Sequence, residues 1–95
     1  MAIVSYRDER LAGILRRDNP GKGFPADLVK AVRRKLVMLD GAVTVDDLRL
    51  PAGNRLERLV ADRHGQYSIR VNDQFRICFV WTTAGPEDVE FVDYH

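Results

Sequence analysis

Apolar residues recur at three- and four-residue spacing through the first half of the chain and at every second position later, which predicts helices followed by a sheet. Leu11, Ile14 and Leu15 mark the first helix. Ser5-Tyr6-Arg7-Asp8 ahead of them has the form of a capping box and places the helix start there. Asp18-Asn19-Pro20-Gly21 ends it, because proline and glycine do not continue a helix. In the second helix Pro25 suits the first helical position, and Leu28, Val32, Leu36 and Leu39 form one apolar stripe ending near Gly41. Thr44-Val45-Asp46-Asp47 repeats the capping pattern for a short turn.

After Gly53 the period changes to two. Leu56 and Leu59 are both expected in the core yet stand three apart, which predicts a bulge at Glu57 and Arg58. Tyr67, Ile69 and Val71 share one face of a strand and Ser68 and Arg70 the other; Asn72-Asp73-Gln74 then makes a hairpin connection. Phe75, Ile77, Phe79 and Trp81 continue the apolar face with Arg76 and Cys78 opposite, and Asp88 to Tyr94 forms a last strand. With a short strand at Ile3 to Ser5, the plan is α+β: an N-terminal strand and two helices packed on one face of a small antiparallel sheet, in a single domain over residues 1–95.

At 95 residues such a chain supports one thin core. No stretch reaches the roughly 20 apolar residues of a membrane span. The N-terminus turns charged before a signal peptide develops, so a cytoplasmic protein is expected. The single cysteine, Cys78, makes no internal disulfide, and two histidines, His64 and His95, supply no metal set. No metal or cofactor is expected. The formal charge of +1 conceals an uneven layout: seven basic and two acidic residues from Arg16 to Lys35, six and three from Arg49 to Arg76, and four acids with no Lys or Arg in the last nineteen. Such sorting sets a basic surface beside an acidic edge and suits a polyanion gripped on one side.

If Val71 and Phe75 flank the turn, Arg70 and Arg76 face each other on the side of the sheet away from the core. Like charges directly across a strand pair are destabilising. They need either carboxylates, for which Asp62, Asp73 and Asp93 are at hand, or an anionic guest such as a phosphodiester, which matches the planar arginine fork. Asp93-Tyr94-His95 at the chain end adds an acid, a phenol and an imidazole. Arginine, carboxylate, tyrosine and histidine together cover metal-free RNA cleavage, in which the 2′-hydroxyl attacks the adjacent phosphorus while other groups move protons and stabilise charge.

The run from Leu48 to Glu57, then Asp62-Arg63, the hairpin Gly65 to Phe79 and the closing Val92-Asp93-Tyr94-His95 resemble the HigB branch of the RelE-like toxins over nearly the whole chain. The resemblance implies a toxin of a type II toxin-antitoxin pair, a ribosome-dependent endoribonuclease that cleaves messenger RNA in the ribosomal A site. It also implies a HigA-like helix-turn-helix antitoxin as partner, with operator DNA met only through that antitoxin. By position, Asp93, Tyr94, His95 and Arg76 match the family's catalytic residues. Arg70, Gln74, Arg58, Arg63 and Glu57 are expected along the RNA. Two positions depart from common family usage: Val60 stands where a lysine is frequent, and Glu57 where some relatives carry histidine. These departures keep open an alternative, a catalytically attenuated toxin acting as a ribosome- or antitoxin-binding module.

Overall fold

The computed structural model describes residues 2–17 and 19–93. Helix α1 (Glu9–Arg17) and helix α2 (Val29–Gly41) precede a four-stranded antiparallel meander of β1 (Glu57–Arg58), β2 (Gln66–Arg70), β3 (Phe75–Thr82) and β4 (Gly85–Asp93), in spatial order β1-β2-β3-β4. This is the α+β arrangement expected. Leu11 and Ile14 of α1 and Val32, Leu36 and Leu39 of α2 meet Ile69, Ile77, Phe79 and Val89 of the sheet in one core. Each such side chain, fully buried, contributes about 1.5–3 kcal/mol relative to exposure. Stacked Phe75 and Phe91, with centroids 4.5 Å apart, extend the core toward the β2–β3 turn.

Local chemistry moves several boundaries. The Ser5 hydroxyl does not cap α1. Asp8 does, its Oδ1 accepting from the Arg10 backbone N–H at 3.1 Å, while Ser5 Oγ accepts from the Asp88 N–H at 2.9 Å. The expected strand at Ile3 to Ser5 is instead an extended run beside β4, joined by Val4 N–H to the Pro86 carbonyl and Val89 N–H to the Ser5 carbonyl, with a lone parallel bridge between Tyr6 and Val89. Pro25 precedes a single 3-10 turn, Ala26–Leu28, that leads into α2. Thr44 and Asp47 form the anticipated reciprocal cap, on the 3-10 turn Val45–Arg49.

The expected bulge in the first strand is not found. β1 is only two residues long and pairs in regular register, Glu57 with Ser68 and Arg58 with Tyr67. The irregularity lies across the sheet: Cys78 pairs with Glu90 but Val80 with Glu87, so β4 carries one extra residue, and Asp88 there adopts φ 52°. The extra residue turns the Asp88 N–H out of the ladder and toward Ser5, so the bulge is where the N-terminal segment fastens to the sheet.

Candidate functional site

The helices cover one side of the sheet; among the described residues no second layer covers the other. Its outward row at the hairpin end is Arg70, Arg76 and Val92, and its middle row is Glu57, Ser68, Cys78 and Glu90. Arg70 and Arg76 are direct register partners, as the two-residue period required. Their guanidiniums nevertheless take separate partners. Arg70 Nη2 bonds to exposed Asp73 in the turn. Arg76 leans the other way: Nε donates to Ser68 Oγ at 2.7 Å, Nη2 to the Arg55 carbonyl at 2.6 Å, and Nη1 lies 3.8 Å from Glu57 Oε1. Arg76 is only 7% exposed, so it is a positive charge fixed by neutral acceptors, with an exposed carboxylate at its rim.

Farther along the same side, Arg63 donates to Gln66 Oε1 at 3.1 Å and pairs with Glu90 at 3.4 Å, and Arg7 approaches Glu90 from beyond at 3.6 Å. Ser68, bonded to Arg76, and Cys78, the register partner of Glu90, are each 0% exposed although on the outward face. Burial pushes the Cys78 thiol up to about 11, against the opposing influence of Arg63, so it stays protonated and unreactive. Arg63 is therefore part of the sheet's cover and lies away from the Arg70–Arg76 row.

Arg58 separates from the rest. Paired with Tyr67, it takes the opposite parity from Glu57 and sits 6.0 Å from the Tyr67 ring centroid on the helical side. Gln74 joins the chain end: its Nε2 donates to Asp93 Oδ2 at 3.1 Å, and Asp93 pairs with Phe75. Register thus sets Asp93 on the parity of the core residues, beside the turn that carries Asp73. Tyr94 and His95, the other two terminal candidates, lie outside the described residues. The structure brings Glu57, Arg76 and Arg70 into one neighbourhood, Gln74 and Asp93 into a second beside it, and leaves Arg58 and Arg63 elsewhere. His64 is exposed, and so is Val60, at 74%.

Sequence reasoning missed what holds this neighbourhood in place. Asn54, 0% exposed, donates through Nδ2 to the carbonyls of Leu48 at 3.1 Å and Leu50 at 3.4 Å, and its Oδ1 accepts from the ammonium of buried Lys35 on α2. Desolvation, reinforced by the Arg34 and Arg70 charges, lowers the Lys35 pKa. The next residue, Arg55, adopts a left-handed conformation with φ 44° and presents the carbonyl that receives Arg76. The only sequence signal was a lysine inside the apolar stripe of α2. Among the described residues no group of three His, Cys, Asp or Glu is placed to hold a metal ion.

Two helices on one side of an antiparallel meander, with arginines on the other, is the α+β plan expected of a RelE-like toxin. Comparison with known proteins gives the family: the model of the RelE-like toxin HigB of type II toxin-antitoxin systems matches residues 4–95, and the chain belongs to these HigB-like toxins. It is 38% identical over 78 residues, 82% of each chain, to toxin HigB-1 of Vibrio cholerae serotype O1. It is also 35% identical over 74 residues to an uncharacterized protein of Haemophilus influenzae, covering 78% of this chain and 73% of that one. Membership makes the protein the toxin of a toxin-antitoxin system, with an antitoxin as its partner. No helix among the described residues is long and apolar enough to cross a membrane.

Proposed function

We propose that the protein is a ribosome-dependent endoribonuclease that cleaves messenger RNA in the ribosomal A site without a metal, and that a helix-turn-helix antitoxin of the HigA type restrains it and carries it to operator DNA. The observation that carries this reading is the Arg70–Arg76 register pair at the end of the sheet where β4 hands on to the C-terminal residues. Arg76, held by Ser68 and the Arg55 carbonyl, is the fixed charge, and Arg70, bonded to an exposed aspartate, exchanges that partner for a phosphate. Glu57 takes the 2′-hydroxyl proton as O2′ bonds to phosphorus. The P–O5′ bond breaks, and the leaving oxygen takes a proton from His95, with Tyr94 assisting, while Asp93 holds Gln74 beside the turn. The products are a 2′,3′-cyclic phosphate and a 5′-hydroxyl. Orientation by the ribosome supplies what an open face lacks, since held geometry lowers a barrier by about 7–11 kcal/mol.

Mapping the 5′ ends of translated messages after induction tests this. New ends at ribosome-occupied codons that vanish with His95→Ala and with Arg76→Ala support it; no new ends, or ends indifferent to both changes, refute it. One observation favours a second reading, an attenuated toxin that occupies the ribosome without cutting: Arg76 is almost wholly buried. Growth arrest that survives His95→Ala with no new message ends would establish that reading instead.

A further inference from the structure

Arg55, at φ 44°, is one of two residues other than glycine that adopt a positive φ among the described residues. The left-handed conformation carries a steric cost for any residue with a β-carbon and none for glycine. The chain has a glycine close by, but Gly53, two positions earlier, has no positive φ that would require it. Arg55 is held from both sides. Its N–H donates to the Ala52 carbonyl at 3.1 Å, closing the 3-10 turn Ala52–Asn54, and its carbonyl accepts from Arg76 Nη2 at 2.6 Å. Asn54, bonded to Lys35 and to the Leu48 and Leu50 carbonyls, fixes the same turn. These contacts account for the backbone and leave the side chain unexplained, because a glycine would present the same carbonyl to Arg76 without strain. The Arg55 side chain is exposed, and its guanidinium makes no hydrogen bond or ion pair with another described residue.

We propose that Arg55 is a phosphate-binding residue for the messenger strand, contacting the phosphate next to the one that Arg70 meets. The proposal rests on the reading of the sheet face as an RNA site and adds an accessible charge to it. Arg76 is 7% exposed and gives Nε to Ser68 and Nη2 to the Arg55 carbonyl, so it presents little of its surface to a ligand. Arg55 lies two residues before Glu57, and Glu57 pairs with Ser68; counted back in that antiparallel register, Arg55 comes level with Arg70. A third arginine therefore stands at the Arg70–Arg76 end of the sheet, with its side chain in solvent. A guanidinium keeps its charge at any working pH and matches a phosphate fork to fork. A strained residue that the surrounding structure holds in place points to use of what it carries. Here that is the guanidinium, since the carbonyl needs no side chain. Contact with Arg76 argues for the strand at this site over ribosomal RNA elsewhere.

The test measures binding of the full chain to ribosomes at several salt concentrations. One set carries a message with 2′-deoxy sugars in the A-site codon, so that binding is read without cutting; the other carries a message that stops at the preceding codon. Arg55→Gly and Arg55→Asn keep the left-handed backbone and remove the charge, whereas Arg55→Lys keeps the charge. Arg55→Gly is expected to leave Tm unchanged or raise it. Both neutral variants should weaken binding to the filled A site about tenfold and make log Kd against log salt shallower by about 0.7, the share of one phosphate on a single strand. Arg55→Lys should keep the wild-type slope and bind within about threefold of wild type. A lower Tm for Arg55→Gly would overturn the strain argument, and an unchanged Kd and slope in both neutral variants would overturn the contact. An equal loss on ribosomes with the shortened message would overturn it in favour of ribosomal RNA. If the wild type binds but never cuts an all-ribose message, the nuclease reading fails while the same losses still support the Arg55 contact; absence of wild-type binding overturns both.

Discussion

Truncating Asn54 to alanine removes the polar centre of the loop between α2 and β1. Four contacts go at once: those that Nδ2 donates to the Leu48 and Leu50 carbonyls and to Met38 Sδ, and the one Oδ1 accepts from the Lys35 ammonium. Asn54, Leu48 and Lys35 are 0%, 1% and 7% exposed, so the substitution leaves the Leu48 carbonyl and the Lys35 ammonium buried without this partner, while Leu50, 76% exposed, is open to water. A buried polar group left without its partner costs about 1–3 kcal/mol, more when it is charged, so the loss should be about 3–5 kcal/mol. For 95 residues the whole stability is about 5–14 kcal/mol, so about a fifth of it or more is at stake. Urea titration followed by circular dichroism measures it directly. The midpoint should fall in proportion while the slope stays unchanged, since the surface exposed on unfolding is the same. A loss under about 1 kcal/mol would refute the reasoning, because water would then be serving Lys35 and both carbonyls as well as Asn54 does. The consequence reaches the proposed site, since the Arg55 carbonyl that holds Arg76 follows directly in the chain.

Four further outcomes are expected. Ser68→Ala takes away the neutral acceptor of Arg76 Nε and should cost about 1.5–3 kcal/mol, read from urea midpoints against wild type. Gly13→Ala, usually favourable in a helix by about 1 kcal/mol, should destabilise, because the new Cβ collides with the Asn19 carbonyl; a rise in Tm would contradict the close approach seen there. The Asp8 carboxyl is held below its usual range chiefly by its bond from Arg10. Its contribution is therefore present above the unfolded-state pKa and lost as pH falls through the lower folded value, and Asp8→Asn should flatten the acid limb of stability against pH. Lys35 works with the opposite balance: its lowered pKa means the unfolded chain binds the extra proton, so stability rises as pH climbs from the folded value toward 10.5, and Lys35→Met should abolish that rise.

Legibility followed periodicity. The opposition of Arg70 and Arg76 could be derived because alternation along two strands and a three-residue turn leave one register. The helical stripes and the order of the sheet carried the same kind of repeated signal. The Lys35–Asn54 pair did not: a single asparagine in a loop has no periodic partner, and its meaning depends on a lysine 19 positions earlier. The bulge was misplaced for a related reason. Leu56 and Leu59 break the alternation visibly but flank a strand too short to bulge, whereas in β4 the extra residue, Asp88, sits between Glu87 and Val89 without disturbing the inward series Val89, Phe91. The directions of the guanidiniums were beyond any pattern, since acceptors from a distant loop set them.

The uncovered side of the sheet explains why arginine is used twice in different ways. With no second layer among the described residues, Ser68 and Cys78 are still 0% exposed, and a guanidinium suits such cover: its five donors bond sideways while its stem covers apolar surface. Arg76 and Arg63 fill that role, the first on neutral acceptors and the second on a largely buried carboxylate. Neither set is easily surrendered. Arg70 differs, because its partner Asp73 is fully in solvent, and such an exposed pair contributes only about 0–1 kcal/mol. On the proposed reading, an arriving phosphate replaces Asp73 at almost no cost and meets, one strand away, a second positive charge that cannot turn aside. Exchange at one arginine and fixity at the other then let RNA enter without the sheet losing its cover.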